Sequence, residues 1–299
     1  MGRVHPSTIA LVRVALNEDI GRGDITSLAC LEPERVHARI TAKSDGVLSG
    51  TVPATIAFAI VDSANTVTFN VQDGEPFGAG QAIAEIDGLN QTVLTAERTA
   101  LNFLAHLSGI ATLTGRFVKA VAGTGCTILD TRKTTPGWRL LEKEAVIHGG
   151  GANHRLGLHD MILIKDNHIA AAGSVGAAVA RAREYLRSGD CRFQFGSERT
   201  DIDIEVEVTA IEQLTEAIGC GVTRLLLDNQ SPASLADLVK AARQLKPAVK
   251  LEASGGISLE TIAEVGRSGV DRISVGGLTH HAVSLDVALD VTQASRGTR

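Results

Sequence analysis

Aromatic side chains are scarce in this chain, at 3% of its 299 residues. Proteins that bind single-stranded nucleic acid stack bases on aromatic side chains and present a basic surface. This chain has few aromatic side chains, and its formal net charge is −5, so its composition provides neither the stacking residues nor an overall basic charge. We therefore expect no nucleic-acid partner, and the same charge argues against binding to an anionic membrane surface.

Cysteines are also few, and they lie far apart in the sequence. Cys30, Cys126, Cys191 and Cys220 form no C-x-x-C pair, which argues against a zinc knuckle or a dithiol redox motif. No stretch approaches the ~20 apolar residues of a membrane span. Residues 1–20 lack the unbroken apolar core of a signal peptide. We expect a cytoplasmic protein.

Apolar residues, by contrast, are plentiful (44%), and in the second half of the chain they gather into six short runs. These runs are Cys126–Asp130, Met161–Lys165, Asp203–Val208, Arg224–Asp228, Val249–Gly256 and Asp271–Gly277. Their length and their Ile, Leu and Val content suit strands that are buried on both faces. Helix-length stretches such as Ser231–Leu245 and Ser258–Ser268 separate several of them. The pattern predicts βα units around a parallel sheet or barrel.

The first part of the chain has a different pattern. It begins with a predicted helix at Pro6–Asp19, and glycines then separate several short strand candidates. These candidates are Val36–Lys43, Val47–Ser49, Thr66–Val71 and Ala82–Ile86. A long helix is predicted at Leu94–Val121, which Gly109 and Gly115 could interrupt. We predict a sheet-and-helix domain at 1–110, a catalytic α/β domain at 111–280, and a segment at 281–299 that packs with the first domain.

Charged residues concentrate where the predicted strands end, which is where parallel α/β folds place their active sites. The densest segment is Asp130–His168, and it carries four of the nine histidines. It also carries Arg132, Lys133, Arg155 and Lys165. Arginine forks match carboxylates and phosphates, and lysine supplies a compact charge. The segment predicts a pocket for a small, highly anionic ligand.

Two acids and two glycine turns complete this edge. Glu207 and Asp228 stand at strand ends, where carboxylates bind magnesium or sugar hydroxyls. An alternative is that Asp228 caps the next turn and that Glu205 and Glu207 pair with nearby lysines. The turns Ser254–Gly256 and Val275–Gly277 follow the last two runs, where barrels often bind phosphate. We expect a phosphorylated substrate.

Several motifs stand together in the order of one known family. They are TAERTALNFLAHLSGIAT (Thr95–Thr112), DTRKTTPG (Asp130–Gly137), GGGANHRLGL (Gly149–Leu158), LIKDNH (Leu163–His168), EVEV (Glu205–Val208), LLLDN (Leu225–Asn229), EASGGI (Glu252–Ile257) and VGGLTH (Val275–His280). From about Asn17 to Leu289 the chain resembles quinolinate phosphoribosyltransferase, the decarboxylating nicotinate-nucleotide pyrophosphorylase of NAD synthesis. One departure is Ala253, where a serine is common, and another is the stretch Cys191–Arg199, which looks longer than expected.

The resemblance implies a fold, a reaction and a cofactor. The fold would be an incomplete α/β barrel of phosphate-binding type with an N-terminal α+β open sandwich domain. The reaction would join quinolinate to phosphoribosyl pyrophosphate with Mg²⁺, giving nicotinate mononucleotide, pyrophosphate and CO₂. The assembly would be a homodimer whose active sites are completed across the interface.

The resemblance also implies a role for each matching residue. The quinolinate carboxylates would be held by Arg132, His154, Arg155, Lys165 and, from the neighbouring subunit, Arg98, and Thr131 would also bind substrate. Lys133 would lie between quinolinate and the pyrophosphate, and Glu207 and Asp228 would serve magnesium and the ribose hydroxyls. The 5′-phosphate would be bound by Ser254, Gly255, Gly256, Val275, Gly276 and Gly277.

Three other functions remain open from the sequence. A barrel lyase or aldolase could use Lys165 as a Schiff-base nucleophile. A paralogous phosphoribosyltransferase-like protein could take another substrate. A non-catalytic binding protein could keep the pocket and lack turnover, although the presence of both Glu207 and Asp228 argues against it.

Overall fold

The structure is a computed structural model that describes residues 4–188 and 202–292. Its strands are β1 (Arg35–Ala42), β2 (Gly46–Val47), β3 (Thr66–Phe69), β4 (Pro76–Phe77), β5 (Ala82–Leu89), β6 (Thr127–Leu129), β7 (Ile162–Ile164), β8 (Ile204–Val208), β9 (Arg224–Asp228), β10 (Lys250–Ser254), β11 (Arg272–Ser274) and β12 (Val287–Thr292). Its helices are α1 (Pro6–Ile20), α2 (Ile25–Cys30), α3 (Thr51–Val61), α4 (Asn90–Ala120), α5 (Arg139–His148), α6 (Asp166–Ala172), α7 (Val175–Arg187), α8 (Ile211–Gly219), α9 (Pro232–Leu245), α10 (Ile262–Arg267) and α11 (Gly277–His280). The stretch Cys191–Arg199 lies outside the described residues.

The chain divides into two compact units. The first contains residues 4–115, 134–151 and 278–292, and the second contains the described residues of 116–133 and 152–277. Residues 134–151 belong with the first unit, where Trp138 stacks on Phe103 and Glu142 pairs with His106. The domain boundaries at 110 and 280 stay a prediction.

An antiparallel sheet with the strand order β12-β1-β5-β3 forms the centre of the first unit. Alternate residues of β1, among them Ala38, Ile40 and Ala42, are fully buried. This period of two is typical of a strand with one face in the core. The predicted strands that correspond to β1, β3 and β5 are confirmed.

Helix α4 is continuous over the predicted long helix, so neither Gly109 nor Gly115 interrupts it. Gly109 has a packing role instead. A Cβ at this position would overlap the backbone carbonyl of Val283 and would lie 3.3 Å from the Cα of Ser284. The residue is glycine because another part of the chain passes directly over the helix there.

The second unit is built on six parallel strands in the order β6-β11-β10-β9-β8-β7. Strands β7 to β11 are neighbours in chain order, and β11 pairs with β6, which is the order of a βα barrel. Among the described residues β6 and β7 are not paired, so the barrel is incomplete. A single parallel bridge joins Leu129, at the end of β6, to Ala152. The predicted fold class is confirmed.

Both helices that were predicted between the late strands are present. Helix α9 begins after Ser231, whose hydroxyl accepts the Ser234 N–H at 3.2 Å. Helix α10 begins at Ile262 rather than Ser258, because Ser258 and Thr261 form a hydrogen-bonded turn before it. No helix among the described residues is long and apolar enough to cross a membrane.

Candidate active site

Two arginines lie close together beyond the end of β6. Arg132 is exposed and Arg155 is half-buried, and the Arg155 Nη1 donates to the Met161 carbonyl at 3.2 Å. Burial lowers the pKa of Arg155, and the nearby Arg132 guanidinium lowers it further. Two guanidinium groups held near each other form a site that an anion would stabilise.

Lys165 follows β7 and forms an ion pair with Glu207 on β8. Its Nζ lies 2.6 Å from Glu207 Oε2, and the carboxylate side is nearly buried whereas the lysine is half-exposed. The alternative prediction that Glu207 pairs with a lysine is therefore confirmed. The pair connects the cation that follows β7 to an acid on β8.

Asp228 is the last residue of β9, and Ser254 is its register partner on β10. The Asn229 side-chain amide donates to Asp228 Oδ2 at 2.7 Å. Asp228 does not cap the following helix, because Ser231 is the N-cap of α9. The alternative that Asp228 caps the turn after β9 stays a prediction.

The turn after β10 brings the backbone close to Asn229. Gly255 and Gly256 have φ angles of +96° and +63°, which favour glycine. A Cβ on Gly255 would collide with the Asn229 side chain. In the other glycine turn, the Val275 N–H donates to the Leu129 carbonyl at 2.9 Å. Both turns lie at the carboxyl ends of their strands, as predicted.

A buried histidine with two glutamates lies deeper in the second unit. His154 Nε2 is 3.3 Å from Glu205 Oε2 and 3.4 Å from Glu252 Oε1. The side chains are 9%, 3% and 2% exposed, respectively. The 3.4 Å contact is close enough for charge attraction but lacks hydrogen-bond geometry, so both oxygens of Glu252 remain without a hydrogen-bond partner. We refer to His154, Glu205 and Glu252 as the buried triad.

The buried triad was not predicted from the sequence. The alternative that Glu205 pairs with a lysine is wrong, because Glu205 faces His154. Glu252 was noted only as part of the EASGGI motif. The available signal was the period of two in strands. Glu205 shares a face of β8 with Glu207, and Glu252 shares a face of β10 with Ser254.

The ring of His154 is held at both nitrogens. Burial favours the neutral ring, whereas Glu205 and Glu252 favour the protonated ring and raise its pKa. The Arg155 N–H donates to Nδ1 at 2.7 Å, a contact that needs an unprotonated Nδ1 and therefore a neutral ring. We assign the ring hydrogen to Nε2 on this contact. Burial in turn raises the pKa of Glu205.

The geometry separates two possible cation sites. In the buried triad the ligand atoms lie within 4.8 Å of one another, as a metal site would need. However, Nε2 carries the ring hydrogen and has no lone pair for a metal. Glu207 and Asp228 offer only oxygen atoms at the ends of adjacent strands. Hard cations such as Mg²⁺ prefer such oxygens and take one or two carboxylates, so this second set fits magnesium.

Three further residues with predicted ligand roles are Thr131, Lys133 and Arg98. Thr131 accepts the Lys133 N–H on its hydroxyl at 3.0 Å, which fixes the turn after Asp130. Arg98 belongs to the first unit, where its exposed guanidinium lies 3.7 Å from Glu97. The ligand roles predicted for these residues stay predictions.

Two family models match the chain in succession. The N-terminal domain of quinolinate phosphoribosyl transferase matches residues 24–108, and its C-terminal domain matches residues 110–290. The chain belongs to the quinolinate phosphoribosyl transferase family. The resemblance that the motifs indicated is thereby confirmed.

Named relatives and solved structures agree with this family. The probable nicotinate-nucleotide pyrophosphorylase (carboxylating) of Bacillus subtilis is 43% identical over 276 residues, which are 92% of this chain and 90% of that protein. The chloroplastic nicotinate-nucleotide pyrophosphorylase (carboxylating) of Arabidopsis thaliana is 39% identical over 94% of this chain and 82% of that protein. The structure of NadC from Streptococcus pyogenes has a TM-score of 0.89 and 36% identity, covering 99% of this chain and 100% of that one.

Proposed function

We propose that the protein is a quinolinate phosphoribosyltransferase of de novo NAD synthesis. It transfers the phosphoribosyl group of phosphoribosyl pyrophosphate to quinolinate and releases pyrophosphate and CO₂, forming nicotinate mononucleotide. Family membership over both domains supports the reaction. In the site itself, the Lys165–Glu207 ion pair carries the proposal, because it brings a cation that we assign to quinolinate into contact with an acid that we assign to magnesium.

The cations suit quinolinate, which carries two carboxylates on adjacent ring atoms. Arg132 and Arg155 lie close enough for their charges to interact, and Lys165 stands at the end of β7. We assign these three side chains and the neighbouring subunit's copy of Arg98 to the quinolinate carboxylates, and Thr131 to substrate binding. Both ring nitrogens of His154 have partners within the protein, so we assign His154 no direct contact with the carboxylates. A substrate with two negative charges would offset the repulsion between the two guanidinium groups.

The chemistry needs two kinds of charge stabilisation. As the pyridine nitrogen attacks the ribose carbon, that carbon gains oxocarbenium character and negative charge builds up on the departing pyrophosphate. We assign Lys133 to that leaving group. Once the nitrogen is quaternary, the ring can accept the electrons of the breaking carbon–carboxylate bond, so decarboxylation depends mainly on position.

Magnesium is part of the proposal. Glu207 and Asp228 would hold it, and when bound it would neutralise charge on the pyrophosphate. Glu207 has to share its Oε2 between this role and Lys165. Asp228 would also bind the ribose hydroxyls, and the glycine turns Ser254–Gly256 and Val275–Gly277 would bind the 5′-phosphate through backbone N–H groups. A homodimer in the cytoplasm completes the proposal.

A Schiff-base lyase is the second candidate, and the ion pair of Lys165 argues against it. A Schiff-base nucleophile needs an uncharged amine. The Lys165 amine is instead engaged by the nearly buried Glu207 carboxylate at 2.6 Å.

A turnover assay tests the proposal directly. Purified protein is incubated with quinolinate and phosphoribosyl pyrophosphate, with and without magnesium, and nicotinate mononucleotide is quantified. We expect magnesium-dependent product. No nicotinate mononucleotide with both substrates and magnesium present would contradict the proposal, and covalent trapping of a carbonyl compound on Lys165 by borohydride would favour the second candidate.

A further inference from the structure

The buried triad places two carboxylates inside a unit that is proposed to bind anions. Glu205 and Glu252 are 2% and 1% exposed as whole residues, and neither is a proposed ligand of substrate or magnesium. Buried carboxylates are costly unless they have partners, and near an anionic substrate they also repel it. Their presence therefore requires a compensating role.

The ring of His154 is the group that both carboxylates contact. Its Nε2 faces Glu205 on β8 and Glu252 on β10, which are separated by β9 in the sheet. The His154 backbone N–H donates to the buried Asp130 carboxylate at 2.9 Å. Glu205 and Glu252 thus fix the His154 side chain, and Asp130, which follows β6, fixes its backbone.

The opposite side of the ring contacts Arg155. Nδ1 accepts the Arg155 backbone N–H at 2.7 Å, so the orientation of the ring sets the position of that peptide. The Arg155 guanidinium is held by the Met161 carbonyl at 3.2 Å and lies near Arg132. A rotation of the ring would therefore move a cation that is assigned to quinolinate.

We propose that Glu205 and Glu252 are positioning residues for the dicarboxylate substrate. They fix the His154 ring from two strands, and through Nδ1 the ring fixes Arg155. This inference rests on the proposed function. It predicts that loss of either carboxylate weakens quinolinate binding selectively, because misplacement of a binding group by about 1 Å can cost up to ~100-fold in rate.

The test compares Glu252→Gln and Glu205→Gln with the wild type in steady-state kinetics. We expect the KM for quinolinate to rise about tenfold or more, with the KM for phosphoribosyl pyrophosphate changed less than about twofold. Asp271→Asn is the matched control. Asp271 is a half-buried acid at the start of β11 that pairs with Arg243, so its loss should lower stability and leave both KM values unchanged.

A double-mutant cycle separates positioning from a structural role. In an Arg155→Ala background, Glu252→Gln should have little further effect on the KM for quinolinate, since both changes remove the same contact. Additive effects, or equal changes in both KM values, would overturn the inference while the proposed function stands. A wild-type protein without quinolinate turnover would contradict the proposed function and this inference with it.

The protonation state of the His154 ring in the wild type provides a further test. In ¹⁵N NMR of histidine-labelled protein, His154 should show a ring hydrogen on Nε2 and an unprotonated Nδ1, assigned by the loss of its signals in His154→Gln. A hydrogen on Nδ1 would remove the link to Arg155 and overturn the inference.

Discussion

Glu207 contacts Lys165 and is also proposed to hold magnesium, so a substitution of this one residue tests both assignments. Its carboxylate is nearly buried, and Asp228 is the other proposed magnesium ligand. We predict that Glu207→Ala and Asp228→Ala each lower kcat/KM by about 100-fold or more, a loss typical of removing one stabilising group from a transition state. Steady-state assays across magnesium concentrations measure this.

The fold of both variants should survive, because these acids stand at strand ends. Melting temperatures should stay within a few degrees of the wild type, and Asp271→Asn should retain normal kcat. Near-normal turnover of either alanine variant at limiting magnesium would show that its assigned role is wrong.

Single residues at the strand ends were predictable, because the carboxyl ends of parallel strands lie at the same edge of the sheet and active sites form there. Lys165 and Glu207 come from runs that were recognised in the sequence, and the structure brings them into contact. The contacts of His154 with Glu205 and Glu252 were not predictable. They connect β8 and β10 across β9, and such contacts depend on the curvature and register of the barrel.

Helix α4 shows the same contrast at the level of the element. Its apolar spacing predicted a helix, but the reason for Gly109 lies in the distant Val283, whose backbone leaves no room for a Cβ. Gly115 in the same helix has its nearest neighbour, the Gly149 carbonyl oxygen, at an ordinary 3.7 Å. Sequence alone marked both glycines as possible breaks and could not separate them.

These two glycines give a matched pair of variants. Gly109→Ala should lower the free energy of unfolding by about 1–3 kcal/mol through overpacking. Gly115→Ala should raise it by up to about 1 kcal/mol, because alanine is the better helix former. Urea unfolding followed by circular dichroism measures both. A Gly109→Ala protein as stable as the wild type would contradict the packing described for this helix.

Helix α2 depends on its N-cap, Asp24. The carboxylate accepts the Ser27 N–H at 3.0 Å and the Thr95 hydroxyl at 3.1 Å. The Ser27 hydroxyl is the main cause that lowers the pKa of Asp24, followed by the Ser27 N–H. We predict that Asp24→Ala lowers the free energy of unfolding by about 1 kcal/mol at pH 7.

The pH dependence of this cap has a definite sign. Because the folded pKa lies below the unfolded value of about 3.9, the stabilisation is present above that value and is lost as pH falls through the folded pKa. The difference between wild type and Asp24→Ala in urea unfolding should therefore shrink below about pH 4. A difference that is constant from pH 7 to pH 3 would exclude the carboxylate as its source.

For the whole molecule, the main open prediction concerns Arg98. Its guanidinium is exposed in the first unit, and family resemblance assigns it to the active site of the neighbouring subunit. We predict that Arg98→Ala and Lys165→Ala homodimers are each nearly inactive and that activity returns when they exchange subunits. Each mixed dimer would contain one site with both residues intact, and random exchange makes about half of the dimers mixed.

Two controls make the mixing experiment decisive. Subunit exchange is followed by mass-tagged chains, and Lys165→Ala mixed with a Glu207→Ala dimer should give no recovery, since both changes affect the same barrel. If exchange is complete and Arg98→Ala with Lys165→Ala also stays inactive, Arg98 acts within its own chain or only supports the helix.

The central claim is that this chain joins phosphoribosyl pyrophosphate to a pyridine dicarboxylate and removes one carboxylate. The most direct measurement uses quinolinate labelled with ¹³C in the carboxylate next to the ring nitrogen, with nicotinate as the comparison substrate. We predict one labelled CO₂ for each nicotinate mononucleotide formed, dependent on magnesium, and no comparable turnover of nicotinate, which would leave part of the Arg132, Arg155 and Lys165 set unpaired. Nucleotide formation without labelled CO₂, or equal use of nicotinate, would contradict the account.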